Sequence, residues 1–247
     1  MKIPRGWGIG IPIGDTFVSA RESAEDRVAR VLASTQADWY QTWMPYPYAY
    51  QPTGAFFPAA QEADIPVVQL DHAANSTLLI LNEPERGWSD TLLMPTSAGM
   101  ATTWQLARLW QIGHPFAWCA PNSNINGKNL EWMTAYADWL WQHGSVAPTF
   151  WGIHFYGKVT GELNYHLTRF WEWWEAHGQE RPVVVTEFGP GRGATVQEAL
   201  TIMEYGRRIL DDPRVIGTCF FAGGVAYQGH PDVCADPILL KRFIDLK

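Results

Sequence analysis

Two glutamates in this sequence end apolar runs that are typical of buried strands. Glu83 follows Leu-Leu-Ile-Leu-Asn, and Glu187 follows Val-Val-Val-Thr. Burying an ionised carboxylate is energetically costly, so a chain rarely places one beside a core strand without a use for it. Two carboxylates at two strand ends can work as an acid/base pair, or as an acid and a nucleophile. We therefore take Glu83 and Glu187 as the candidate catalytic residues.

The segments that would position these glutamates alternate between strand-like apolar runs and amphipathic helical patterns. Uninterrupted apolar runs are typical of parallel strands that are covered on both faces. Thr195 and Glu198 form a capping box that predicts a helix start, and Gly113 and Gly144 are placed where helices end. The region 44–65, rich in Pro, Tyr and Phe, is predicted to be a long loop or an irregular helix. We predict eight strands, at residues 6–11, 37–43, 66–70, 78–82, 116–120, 150–156, 182–187 and 215–221.

Eight strands that alternate with helices in 247 residues predict an α/β fold, a compact (β/α)8 TIM barrel with a single domain spanning residues 1–247. A doubly wound open sheet usually carries a glycine-rich first turn, which Ile-Gly-Ile-Pro-Ile-Gly matches poorly. In a barrel the carboxyl ends of the strands form the active face. Glu83 on strand four and Glu187 on strand seven would therefore face each other across the mouth.

Composition and charge exclude several classes of function. A formal net charge of −7 gives no electrostatic footprint for nucleic acid or for an anionic membrane. No apolar run is long enough to span a membrane, and the Met-Lys-Ile-Pro-Arg start lacks the apolar stretch of a signal peptide. Cys119, Cys219 and Cys234 have no Cys-x-x-Cys spacing and are predicted to be free thiols. We expect a monomer, and the cellular location stays open.

Cleavage of a glycosidic bond needs one carboxylic acid to protonate the leaving oxygen and one carboxylate on the other side of the anomeric carbon. Asn82-Glu83-Pro84 and Thr186-Glu187-Phe188-Gly189 resemble the two motifs of the clan A retaining barrel glycoside hydrolases. The resemblance implies that Glu83 is the acid/base and Glu187 the nucleophile. For retention the two carboxyl groups would lie about 5–5.5 Å apart. We expect no cofactor and no metal.

Further motifs resemble one family of this clan, glycoside hydrolase family 128. They are Arg5-Gly6-Trp7-Gly8, Trp39-Tyr40-Gln41-Thr42-Trp43, Leu81-Asn82-Glu83-Pro84-Glu85 and His154-Phe155-Tyr156-Gly157. Members of that family are compact barrels that act on β-1,3-glucans. The resemblance therefore implies an endo-acting β-1,3-glucanase with an oligo- or polysaccharide substrate.

Eight further residues are predicted to bind substrate or to hold the glutamates: Asn82, His154, Tyr156, Trp43, Asn122, Gln69, Trp88 and Phe221. His154 and Tyr156 lie on the same side of a strand, so Tyr156 could donate its hydroxyl to Glu187. The two tryptophans could stack on sugar rings or pack in the core. Asn122 follows a predicted strand and Gln69 lies near the end of one, and both are equally typical of polar turns.

Two other interpretations use the same scaffold and stay open. A non-catalytic carbohydrate-binding barrel would keep the cleft without turnover. A barrel enzyme acting on a phosphorylated metabolite would use the turn Gly189-Pro190-Gly191-Arg192-Gly193, between a strand and a helix N-terminus. The last loop carries a separate polar run whose spacing matches no standard metal site, so we predict a solvated loop there. Its members are His230, Asp232, Cys234 and Asp236.

Overall fold

The computed structural model describes residues 5–12, 22–42, 55–58, 77–82, 94–120, 127–177, 180–223 and 229–247. Its strands are β1 (Gly6–Gly10), β2 (Trp39–Thr42), β3 (Ala55–Pro58), β4 (Leu78–Asn82), β5 (Phe116–Ala120), β6 (Trp151–Tyr156), β7 (Val183–Gly189) and β8 (Val215–Phe221). Seven of the eight predicted strands are confirmed, with ends within two residues of the prediction. The other, predicted at 66–70, lies outside the described residues.

The prediction of a loop or an irregular helix over 44–65 is wrong at one place. Ala55–Pro58 is a strand, β3, which pairs in parallel with β2. Phe56 and Phe57 are of a residue type that favours extended backbone. Pro58 is the last residue of β3, which is the end strand of its sheet as far as the described residues go. The remainder of 44–65 lies outside the described residues.

Helices follow most of the strands and begin and end at the expected signals. Thr195 Oγ1 accepts a hydrogen bond from the Glu198 N–H at 3.2 Å, and the Glu198 carboxylate accepts from the Thr195 N–H at 2.7 Å. Gly113 and Gly144 adopt φ angles of 66° and 68°, which glycine reaches without strain. The predicted capping box and helix ends are thus confirmed. The described helices are α1 (Ala24–Thr35), α2 (Pro95–Gln111), α3 (Gly127–Gln142), α4 (Thr160–His177), α5 (Val196–Ile209) and α6 (Pro237–Asp245).

Every pairing among the described strands is parallel. One sheet has the order β3-β2-β1-β8-β7-β6, so that the first strand pairs with the last, and a second sheet consists of β4 and β5. The Thr149 N–H, just before β6, donates to the Phe116 carbonyl at the start of β5 at 2.9 Å. The chain therefore has a mixed α/β fold with parallel strands, whose carboxyl ends share one edge.

The core has two layers, one on each face of the strands. A large cluster packs between strands and helices and includes Val183 and Val185. Val184, between them, belongs to a smaller cluster on the opposite face, as the two-residue period of a strand requires. That smaller cluster comprises Trp39, Leu79, Ala117, Phe150, Val184 and Cys219. Of the helices described, none has the length and apolar character needed to cross a membrane.

Candidate active site

Glu187 lies near the carboxyl end of β7 and is 5% exposed. The Tyr156 hydroxyl donates a hydrogen bond to Glu187 Oε2 at 2.6 Å, and Gln41 Nε2 donates to Oε1 at 3.3 Å. His154 Nε2 lies 3.5 Å from the same Oε1. Tyr156 and His154 come from β6 and Gln41 from β2, so groups from two other strands hold both oxygens of the carboxylate.

An extra residue in β7 turns Glu187 toward these groups. Ile153 and His154 are consecutive in β6, but they pair with Val185 and Glu187, so Thr186 is the extra residue of a β-bulge. Val185 packs on the helix side, and strict alternation would put Glu187 on that same face. The Thr186 hydroxyl donates to the Ile153 carbonyl at 3.2 Å and fixes the bulge. The site thus depends on an irregularity in the strand.

Cys219 on β8 lies beside this carboxylate and is fully buried. Burial raises the pKa of its thiol well above the usual value, and the charge of Glu187 raises that pKa further, whereas the Gln41 backbone N–H opposes the shift. A neutral buried thiol is unreactive, so Cys219 forms part of the wall behind Glu187. Neither Cys219 nor the half-buried Cys234 is in a disulfide bond, as predicted.

Phe221, predicted to contact substrate, ends β8 and is 3% exposed. Its ring meets the Tyr156 ring edge-on, with the centroids 5.8 Å apart. The His230 ring meets both of them, with its centroid 5.3 Å from Tyr156 and 5.2 Å from Phe221. Phe221 therefore packs against the tyrosine that hydrogen-bonds Glu187, and its contact with substrate stays a prediction.

The glycine-rich turn after β7 is hydrogen-bonded to neighbouring loops. The Gly191 N–H donates to the Gly157 carbonyl at 3.3 Å, and the Gly193 N–H donates to the Gly229 carbonyl at 3.0 Å. A phosphate would need such backbone amides to point at it. Because these two amides are engaged within the protein, the turn does not favour the interpretation as a phosphorylated-metabolite enzyme.

The polar residues of the last loop serve the loop itself. His230 Nδ1 donates to the Pro190 carbonyl at 2.8 Å, and Asp232 accepts from the Cys234 N–H at 2.8 Å. Asp236 is the N-cap of α6. Across the described ranges, no cluster of His, Cys, Asp and Glu side chains is arranged to hold a metal ion.

Several predicted site residues lie beyond what the structure describes. Asn82 ends β4, where its backbone pairs with Ala120 of β5. The separation between the two glutamates stays a prediction, and so do the contacts of the predicted tryptophans and turn amides. The predicted site residues outside the described ranges are Glu83, Trp43, Gln69, Trp88 and Asn122.

Comparison with protein families decides the class of this chain. The profile of the family described as the glycosyl hydrolase catalytic core matches residues 17–242, which is most of the chain and includes both candidate glutamates. The chain belongs to this family. It is a glycoside hydrolase. No curated protein sequence matches the chain.

Solved structures of glycoside hydrolase family 128 share the fold of this glycoside hydrolase. An endo-β-1,3-glucanase of subgroup I from Amycolatopsis mediterranei, crystallised with laminaritriose, is 18% identical, with a TM-score of 0.70 over 98% of this chain and 100% of that chain. An exo-β-1,3-glucanase of subgroup VI from Aureobasidium namibiae is 13% identical, with a TM-score of 0.71 over 96% of each chain. A subgroup V exo-β-1,3-glucanase from Cryptococcus neoformans is 19% identical, with a TM-score of 0.60 over 87% of this chain and 84% of that chain.

Two residues at the site of this glycoside hydrolase were not predicted from the sequence. The sequence motifs include Gln41 but predict no role for it, and the polar run that contains His230 suggests only metal binding. The signal for Gln41 is its position two residues after the inward-facing Trp39 on β2, where an amide would be buried. No signal along the sequence brings His230 to Tyr156, because the contact depends on how the loop after β8 folds back.

Proposed function

We propose that this glycoside hydrolase is a retaining β-glucanase that cleaves β-1,3-linked glucan by double displacement. Glu187 is the nucleophile and Glu83 the acid/base. The observation that carries the proposal is the environment of Glu187: a carboxylate at a strand's carboxyl end, 5% exposed, with a donor on each oxygen. Donors directed at a buried carboxylate favour its charged form, which a nucleophile requires.

The proposed reaction has two steps that use each glutamate twice. In the first step a Glu187 oxygen bonds to the anomeric carbon while the glycosidic bond breaks, and Glu83 gives its proton to the leaving oxygen. In the second step Glu83 takes a proton from water, whose oxygen bonds to the anomeric carbon as Glu187 leaves. The product keeps the β configuration because two inversions cancel. Tyr156 and Gln41 hold the Glu187 carboxylate throughout, and His154 adds a third group at its Oε1.

We propose that the parallel strands close into one (β/α)8 barrel, a single catalytic domain, with this site at its mouth. Gln41 on β2 reaches Glu187 on β7 although β1 and β8 lie between them. In a flat sheet those two strands would be about 14 Å apart, so the contact favours strong curvature. The smaller of the two core clusters also contains side chains from both sheets, such as Leu79 of β4 and Val184 of β7. Barrels of eight strands have such a filled interior.

The proposed substrate class rests on the structural neighbours, which are β-1,3-glucanases, one of them crystallised with laminaritriose. Both endo- and exo-acting enzymes occur among them. We propose internal cleavage for this chain, as its motifs imply. The proposed contacts to sugar are Asn82, His154, Trp43, Asn122, Gln69, Trp88 and Phe221.

A hydrolysis panel tests the proposal. Laminari-oligosaccharides and polymers with β-1,3, β-1,4 and mixed linkages, together with mannan, are incubated with the enzyme, and product lengths are measured over time. We expect turnover of β-1,3-linked chains, with oligosaccharides of several lengths as early products. Release of glucose alone would contradict internal cleavage, and binding without turnover would favour a non-catalytic carbohydrate-binding barrel.

The mechanism has its own test. Proton NMR of the first products identifies the anomer that forms, and an activated 2-deoxy-2-fluoro glucoside traps a glycosyl-enzyme for peptide mass spectrometry. We expect the β-anomer and a label on Glu187. The α-anomer would indicate inversion and a wider spacing of the carboxyl groups, roughly 6.5–9.5 Å. A label on another residue would overturn the assignment of the nucleophile.

A further inference from the structure

Three aromatic rings form a closed triangle next to Glu187. Tyr156 from β6, Phe221 from β8 and His230 from the following loop each contact the other two, with centroids 5.2–5.8 Å apart. Phe221 stands at 87° to Tyr156 and at 89° to His230, the edge-to-face geometry that aromatic pairs prefer. The hydroxyl at one corner of this triangle is the donor to Glu187 Oε2. The orientation of that hydroxyl is therefore coupled to the two other rings.

The His230 corner is itself tied to the strand that carries Glu187. Its Nδ1–H donates to the carbonyl of Pro190, in the turn directly after β7, at 2.8 Å. The neighbouring Gly229 carbonyl accepts from the Gly193 N–H of the same turn at 3.0 Å. The loop after β8 is thus fastened to the end of β7 at two points. These two hydrogen bonds connect β7, which carries Glu187, to the loop whose His230 ring packs on Tyr156.

We propose that His230 is a positioning residue for glycoside cleavage, which holds the Tyr156 ring so that its hydroxyl stays on Glu187. The inference rests on the proposed role of Glu187 as nucleophile. His230 acts through Tyr156, because its contacts among the described residues are with the two rings and with the Pro190 carbonyl. Phe221 is the second support of the same tyrosine.

The charges around His230 agree with a packing role. Burial lowers the pKa of the His230 imidazole, the hydrogen bond to Pro190 opposes this shift, and the charge of Arg192 adds to it. The ring is therefore neutral at neutral pH, with its proton on Nδ1, and it presents an uncharged face to Tyr156. Tyr156 on one side and Phe221 on the other add no charge of their own at that pH.

A double-mutant cycle tests the proposal, with His230→Asn, Tyr156→Phe and the double variant. Asparagine removes the ring and keeps an N–H donor for the loop. The readouts on a laminari-oligosaccharide are kcat, KM, the melting temperature, and the acid-side midpoint of the pH dependence of kcat. We expect His230→Asn to lower kcat about threefold to tenfold with little change in KM. The acid-side midpoint should move to higher pH, since a weakened donor disfavours the charged carboxylate.

The cycle distinguishes positioning from general support of the fold. In the Tyr156→Phe background there is no hydroxyl to misplace, so adding His230→Asn should change kcat and the acid-side midpoint little further. His230→Phe keeps a ring and should retain most of the wild-type kcat. Among the described residues, the groups that face Glu187 and could also titrate are His154 of β6, Tyr156 of β6 and Cys219 of β8. These three and the proposed acid/base Glu83 must be counted when the midpoint is assigned.

Two outcomes would overturn the inference. One is an equal loss of kcat from His230→Asn in both backgrounds, and the other is a loss of melting temperature with an unmoved acid-side midpoint. If His230→Asn does not fold, Phe221→Leu removes the other support of Tyr156 and carries the same expectation for the acid-side midpoint and for the double-mutant cycle with Tyr156→Phe. A wild-type enzyme that hydrolyses no β-glucan would reject the proposed function and this inference with it. An active wild type with an additive cycle would reject this inference alone.

Discussion

The two ends of the strands carry similar polar residues in opposite surroundings. At the carboxyl ends Gln41, His154 and Glu187 are no more than 5% exposed and lie against one another. At the amino ends Asp38 forms an ion pair with Lys247 at 3.0 Å, and both side chains are more than a third exposed. A carboxylate has partners at both ends, whereas its access to water differs greatly between them.

The difference in exposure determines which of the two carboxylates is held in a fixed geometry. Water screens the Asp38–Lys247 pair, and an exposed ion pair contributes at most about 1 kcal/mol to stability. A buried carboxylate cannot rely on water, so it needs donors directed at it. Glu187 receives them from β2 and β6. Substitutions at the carboxyl ends of the strands should therefore change kcat, whereas substitutions at the amino ends should not.

The largest effect is expected from Glu187→Gln. The amide is almost the same size but cannot attack an anomeric carbon, so kcat on laminari-oligosaccharides should fall about 10⁴-fold or more. The melting temperature should change little, because the interior keeps its shape. Glu175→Gln is the matched control: its side chain is 70% exposed on α4, and its kcat should equal that of the wild type. A Glu187→Gln enzyme with nearly normal kcat would contradict the proposal that catalysis depends on the carboxylate at the carboxyl ends.

A smaller effect is expected from Gln41→Leu. The change removes the donor to Glu187 Oε1, and a hydrogen bond to a charged group is worth about 1.5–3 kcal/mol. Since this bond is long, at 3.3 Å, we expect the lower end, about a tenfold loss of kcat. Gln142→Leu, at the exposed end of α3, makes the same chemical change away from the site and should leave kcat unchanged. Equal kcat values for wild type and Gln41→Leu would show that β2 does not serve Glu187.

Cys219 provides a test of burial at alkaline pH. Its folded pKa is raised, so above about pH 8.5 the unfolded chain loses a proton that the folded chain keeps. Stability gained from the buried neutral thiol is complete below that pH, and the free energy of unfolding should decline above it, by up to about 1.4 kcal/mol per pH unit. Urea unfolding measured between roughly pH 7 and pH 10 should show a shallower decline for Cys219→Ala. Val184→Ala, in the same cluster as Cys219, removes no titrating group and should keep the wild-type slope; identical slopes for the wild type and Cys219→Ala would contradict the argument.

The smallest effect is expected from Lys247→Met at the amino ends. The variant loses the ion pair with Asp38, so the free energy of unfolding should fall by less than about 1 kcal/mol. Urea unfolding measures that change, and kcat on laminari-oligosaccharides should stay at the wild-type value. A large loss of kcat in Lys247→Met would show that the amino ends of the strands also affect catalysis.

Local signals in the sequence predicted much of the fold. The strands β4, β5 and β8 have the predicted ends, because each is a short apolar run bounded by polar or turn residues. The Thr195–Glu198 box also predicted a helix start, since a cap depends on residues within one turn. β3 was missed because its Phe-Phe-Pro run lies in a segment whose composition is typical of a loop.

The site was harder to predict because its geometry is non-local. Strand alternation placed His154 and Tyr156 on one face, and the hydrogen bond from Tyr156 to Glu187 was expected. The β-bulge was not expected, since it appears only in the pairing of β7 with its neighbours on both sides. The reach of Gln41 across two intervening strands depends on sheet curvature, which no short stretch of sequence encodes.

The extra residue in β7 interrupts the regular hydrogen bonding between β7 and β6, but it also places Glu187 in the site. If Thr186 stayed in the strand and paired with His154, the ladder with β6 would be continuous, but every later side chain of the strand would then change face. Glu187 would point among the helices, and Phe188 would enter the space that the carboxylate now occupies. A redesign that regularises the pairing of β7 to raise the melting temperature should therefore abolish glycoside hydrolysis.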